Sequence, residues 1–242
     1  MKTLQFLVLV LAVAVPLRAA DLPDTSYPTS DRQSLRINMT VKPAFPQHLI
    51  ANGMNRGETR VLISVSHQGV LVDSLVVAYT DKAFADAVLD VLERWRYEPI
   101  LMREQTVPCQ VELLISFEAT GVVVSLDVNK AISRLTNRPE EIVFSPCGLR
   151  ELDQIPRPVQ ADSPIFPKWL RDSGIHGNVT VEFYIDEKGA VRMPAVLAAD
   201  HEELGFLAVD AVRGWRFDAP TRNGRPVLAK VRQLFHFGPS ES

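Results

Sequence analysis

The chain has 242 residues, 46% of them hydrophobic, and a formal net charge of −3. That length holds one large or two small domains, and the mild acidity argues against a nucleic-acid or anionic-membrane partner, which would call for a basic face. Five histidines (His48, His67, His176, His201, His236) show no metal-ligand spacing, and no GxSxG, Walker or HExxH motif is present. The residues therefore suggest no catalytic or metal site and no cofactor.

Residues 1–20 read as a secretory signal: Lys2, an apolar run from Leu4 to Val15, Pro16, then Ala19-Ala20. The run is too short to span a membrane, and cleavage is expected after Ala19 or Ala20. Losing Lys2 and Arg18 takes two positive charges away, from −3 to −5, in a mature chain that is not membrane-spanning. A polar lead-in covers 21–42.

The next region, 43–120, opens on AFPQHL (44–49). Thr59, Val61, Ile63 and Val65 alternate as in a half-buried strand, and His67-Gln68-Gly69 turns the chain. Phe84, Ala87, Val88, Val91, Leu92 and Trp95 recur at three- and four-residue spacing, which predicts one helix face. Val107, Cys109, Val111, Leu113, Ile115 and Phe117 then form the inward side of a last strand. Residues 121–163 read as an interdomain segment with some structure, including a strand over 122–128 and a short helix over 129–137.

Residues 164–238 repeat the plan, and 239–242 form a tail. IFPKWL (165–170) leads into alternating Val179, Val181, Phe183 and Ile185, an Asp-Glu-Lys-Gly turn (186–189), and a strand over 190–198 in which Pro194 implies an edge or a bulge. Leu204, Leu207, Ala208, Ala211, Val212 and Trp215 mark a helix stripe, Asn223-Gly224 a turn, and 226–237 the last strand. A shift of 120 residues lays 57–118 on 177–238 without a gap, and the identities include Gly57/Gly177, Gly69/Gly189, Trp95/Trp215, Arg96/Arg216 and Phe117/Phe237. The expected fold is α+β: two similar small domains, each a three-stranded antiparallel sheet covered by one helix. Trp95-Arg96-Tyr97 and Trp215-Arg216-Phe217 read as a repeated joint, with Trp in the core, Arg outward and the aromatic turned back in. The alternative is that the arginines anchor a partner carboxylate.

The two cysteines, Cys109 and Cys147, allow one disulfide in an oxidising compartment. As a small hydrophobe on an inward strand face, Cys109 reads equally well as a free thiol.

The second copy, through Phe166-Pro167, Gly174, Gly177, Ile185-Asp186, Gly189, Trp215-Arg216-Phe217, Pro220 and Asn223-Gly224, resembles the C-terminal domain of TonB, and the first resembles it through Phe45-Pro46, Gly57, Gly69 and Trp95 to Pro99. The resemblance implies a periplasmic protein that binds an envelope protein, in that family an outer-membrane TonB-dependent transporter, by adding an extended peptide to a sheet edge. It implies the last strand as the docking edge, with Val227, Leu228, Lys230, Arg232 and His236 as candidate contacts. A role accessory to transport follows more readily than direct energy transduction, because the N-terminal segment reads as cleaved and no Pro-rich stalk follows it. The alternative is an envelope-maintenance module that binds the cell wall or acts as a chaperone. Open sheet edges also allow a homodimer.

Overall fold

Two sheets of matching register organise the molecule, a computed structural model that describes residues 35–39, 41–102, 105–119, 121–125 and 141–238. The expected signal, most of the lead-in and the helix over 129–137 lie outside the described residues. What is described falls within one compact unit, Gln33–Ser242.

In the first half, β1 (Arg36–Asn38) and α1 (Gln47–Ala51) precede β2 (Arg56–Val65) and β3 (Leu71–Tyr79). Helix α2 (Lys82–Leu92) follows, then β4 (Arg96–Glu98), the β5–β6 hairpin (Ile100–Met102, Gln105–Val107), β7 (Cys109–Glu118) and β8 (Gly121–Ser125). The strand order is β3-β2-β7-β8. In the second half, β9 (Cys147–Gly148) and β10 (Pro158–Gln160) lead to α3 (Lys168–Asp172), β11 (Gly177–Ile185) and β12 (Val191–Ala199). Helix α4 (Glu202–Arg213), β13 (Arg216–Phe217), the β14–β15 hairpin (Thr221–Arg222, Arg225–Pro226) and β16 (Ala229–Phe237) complete it. The order there is β12-β11-β16-β9. Each sheet thus has four strands, against the three expected. The fourth comes in both cases from the segment between the halves, whose short apolar pieces find an edge to pair with.

Alternation decides which side is core. Val61, Ile63, Val65, Leu113, Ile115 and Phe117 pack under Phe84, Val88, Val91 and Leu92 of α2. Val179, Val181, Phe183, Ile185, Ala229 and Val231 pack under Leu204, Ala208 and Val212 of α4. Gly57 pairs with Phe117, and Gly177 with Phe237, so adding 120 to one register reproduces the other. Helix α2 is capped by Asp81, whose carboxylate accepts from the Ala83 amide at 2.8 Å. Strand β12 is an edge, as Pro194 demands, and its register with β11 is irregular around Met193, which has φ +49°.

The sheets meet on their outward sides. Leu75 and Val77 of β3 pack with Tyr184 of β11, Met193 of β12 and Leu228. Around this apolar contact, Arg192 donates to both carboxylate oxygens of Asp73 and to the Ser74 carbonyl at 3.0 Å. The Gln110 side chain donates to the Pro194 carbonyl at 3.2 Å. The segment joining the halves adds Phe144, whose ring stacks on Tyr79 at 4.8 Å between centroids.

Candidate functional site

The repeated joint is built the same way twice. Trp95 and Trp215 are buried at the ends of α2 and α4. Each indole N–H donates to a carbonyl far upstream, Trp95 to Val41 at 2.7 Å and Trp215 to Asp162 at 2.8 Å. The residues after each Trp form β4 and β13, which pair with β1 and β10. Tyr97 is buried and its hydroxyl donates to the Leu92 carbonyl at 2.8 Å; burial pushes its pKa up to about 12. Phe217 stacks on Phe183 and meets Trp215 edge-on. Arg96 and Arg216 are exposed. A Cβ on Gly69 (φ +77°) or Gly189 (φ +80°) would run into the carbonyl oxygen of Tyr97 or Phe217. The turn glycine and the aromatic therefore recur together because the two backbones touch, which leaves no room for a side chain.

The candidate edge lies beyond this joint. Val227 and Leu228 precede β16, which starts at Ala229. The Val227 amide donates to the Pro220 carbonyl at 2.9 Å, and Leu228 is buried in the contact between the sheets. These two candidates are anchors of the strand's entry. The missed signal was Pro226, which ends the preceding hairpin and displaces the strand start.

Strand β9 lies parallel to β16 but pairs only with Ala229 and Lys230. The Cys147 amide donates to the Leu228 carbonyl at 2.8 Å. Backbone groups alternate sides along a strand, so the edge-facing groups are those of the even-numbered residues. Among the described residues, no strand pairs with the outer edge of β16 at Arg232, Leu234 and His236. The Leu234 carbonyl is met by the side-chain amide of Gln233 at 2.9 Å, which gives a reason for the one polar residue that interrupts this strand's apolar side.

The outward side chains of β16 are tied to β11. Lys230 Nζ and Arg232 Nε each lie 2.8 Å from one oxygen of Glu182. Lys230 also sits 5.8 Å from the Tyr184 ring centroid. His236 Nδ1 lies 3.0 Å from Asn178 Oδ1. Burial works to raise the Glu182 pKa, but the hydrogen bonds from Lys230 and Arg232 outweigh it and hold the carboxyl below its ordinary range.

Asn223 (φ +53°) and Gly224 (φ +71°) form the tight turn of the β14–β15 hairpin. Asp153 fastens that turn, accepting from both amides at 2.8 and 2.9 Å. Those bonds, Gly224's first, hold the Asp153 carboxyl below its usual pKa.

Cys109 and Cys147 are both free thiols. Cys109 begins β7 opposite Val65, and Cys147 is buried beside Ala229 on the other sheet. Pairing with β16 holds Cys147 there in place of a bridge to the first sheet. Burial pushes the Cys109 thiol up. No group of His, Cys, Asp and Glu suited to a metal is found among the described residues, and no helix among them is long and apolar enough to cross a membrane.

Residues 162–239 match the family model for the Gram-negative bacterial TonB protein C-terminal. This TonB-like segment runs from the carbonyl that holds Trp215 through the end of β16. The chain is also similar to a solved structure described as the solution NMR structure of Pseudomonas aeruginosa TonB CTD. The identity is 26% and the TM-score 0.33, over 40% of this chain and 96% of that one. No curated protein matches the chain.

Proposed function

We propose that this chain is a non-enzymatic periplasmic interaction protein, built from two copies of a TonB-like unit, that binds an extended segment of an envelope protein as an added strand on the outer edge of β16. An outer-membrane TonB-dependent transporter is the partner class favoured by the TonB-like segment, and the role is accessory to transport. The observation that carries the reading is the open edge at Arg232, Leu234 and His236, on the last strand of that segment. Backbone groups there supply affinity for any extended chain, and the side chains to either side tune the choice. Arg232 and exposed Leu234 favour a partner strand that combines acidic and apolar residues.

Leu234→Pro tests it. Proline removes an edge-facing amide and is tolerated on edge strands, so the β11 pairing should survive. Capture of envelope proteins by the full chain should be competed by transporter peptides and lost in Leu234→Pro. Equal capture by both proteins would sink the reading, as would retention on cell-wall sacculi with no competition by peptide.

A further inference from the structure

We infer that the outer edge of β7 is a second docking edge of the same kind as β16, and that β8 occupies it in cis as an internal strand ligand. The inference rests on the β16 reading.

The register places it. Strand β8 runs antiparallel to β7, with Leu114 opposite Ser125, Ile115 opposite Val124, Phe117 opposite Val122 and Glu118 opposite Gly121. Adding 120 carries 114–117 onto 234–237, the end of β16 that β9 leaves uncovered. The same strand position is therefore filled on one sheet and open on the other. The two leucines at this position differ in exposure, Leu114 at 0% and Leu234 at 61%.

The build of β8 fits a ligand better than a founding strand. It is five residues long, pairs among the described residues with β7 alone, and begins opposite the end of β7, Gly121 against Glu118. Its Val122 and Val124 pack against the rim of the first core and are only partly buried. The core beneath is closed by β2, β7 and α2, where Ile63, Val88, Leu113 and Ile115 are fully buried. A short edge strand of this kind opens at lower cost than the sheet it decorates.

The same geometry defines the ligand. It is an extended segment, antiparallel to β7, with apolar β-branched residues at two alternate positions, one opposite Ile115 and one opposite Phe117. On β16 those positions face Phe235 and Phe237. Charge separates the two edges: two residues before the β8 contact, β7 carries Glu112 where β16 carries Arg232. A partner strand with an acid at that end would favour β16, and one with a base would favour β7.

The test uses the full chain and a synthetic peptide of residues 119–127, which contains the β8 sequence. Binding is counted by calorimetry and located by amide hydrogen exchange. The unaltered chain should take one peptide, protecting Arg232–His236. Val122→Asp with Val124→Asp should release β8 and raise the count to two, with new protection at Leu114–Glu118. Adding Leu234→Pro to that variant should leave one, on β7. If peptide protects β7 in the released variant but never protects β16, the β16 reading fails and this one stands. If the folded, released variant gains no protection on β7, this inference is overturned. Should the double change unfold the chain, Val124→Asp alone is read the same way. Exchange in the unaltered chain decides independently: β8 amides should exchange through a local opening at least about tenfold more often than global unfolding allows, and exchange only by global unfolding overturns the inference.

Discussion

Strands β7 and β16 have the same neighbour on one side, the same register with it and the same apolar alternation toward a covering helix. They differ on the other side. On β7 the next five-residue strand folds straight back and seals the far half of the edge; on β16 a two-residue strand arrives from upstream and seals only the near end. Whether an edge is open is thus decided by what chain lies next to the strand, since every strand carries the same backbone donors and acceptors. The one local adaptation is Gln233, whose side chain meets an edge carbonyl of β16; buried Leu113 holds that place on β7.

The sharpest way to break the symmetry of the two halves is at the joints. Trp95→Ala and Trp215→Ala should each cost about 3–5 kcal/mol of stability by denaturant unfolding. Similar losses are expected because both indoles fill the same gap and hold an upstream carbonyl. A loss in one half with none in the other would show that the joints are not equivalent. Gly189→Ala and Gly69→Ala come next, at roughly 1–3 kcal/mol each, from positive φ combined with a carbonyl in the way of the new Cβ. A midpoint unchanged in urea would refute that contact.

Arg192→Ala probes the contact between the sheets. Removing the guanidinium strands Asp73 half-buried and should cost on the order of 1–2 kcal/mol. Hydrogen exchange should rise first at Ser74 and along β3, with the β11–β16 ladder unaffected. The smallest effect belongs to the charged face of β16. The folded-state pKa of Glu182 is lowered, so its contribution is complete above the ordinary carboxylate value and fades as pH falls through the lowered one. Burial works against Lys230, but its bond to Glu182 outweighs that and raises its pKa, so its contribution fades only as pH rises past its ordinary value. Glu182→Gln should therefore cost about 0.5 kcal/mol or less at neutral pH and nothing in strong acid. A difference that persists below pH 2 would exclude the carboxylate as its source.

Much of the layout was legible because it is periodic. Alternating Val61-Ile63-Val65 and Val179-Val181-Phe183 could bury one side only as strands, and the Phe84-to-Trp95 stripe could do so only as a helix. Pro194 could announce an edge because proline lacks the donor a central strand needs. The near end of β16 was less legible. Val227 and Leu228 continue the apolar run in sequence, yet the hairpin ending at Pro226 fixes where pairing begins and turns both into anchors. Lys230 and Arg232 read only as candidate docking contacts because Glu182, which pairs with both, is about 50 residues away on β11.

By itself the sequence determined the long strands, the two longer helices and the core side of each. These follow from side-chain periodicity and from turn residues that admit few backbone conformations. Only the tertiary structure decided which edges are covered, where the cysteines sit, and how the outward sides of the sheets join through Leu75, Met193 and the Asp73–Arg192 pair. Those outcomes depend on which segments, distant in the chain, reach the same place. A backbone hydrogen bond at a sheet edge is nearly blind to side-chain identity, so the residues of β7 and β16 carry little record of what pairs with them.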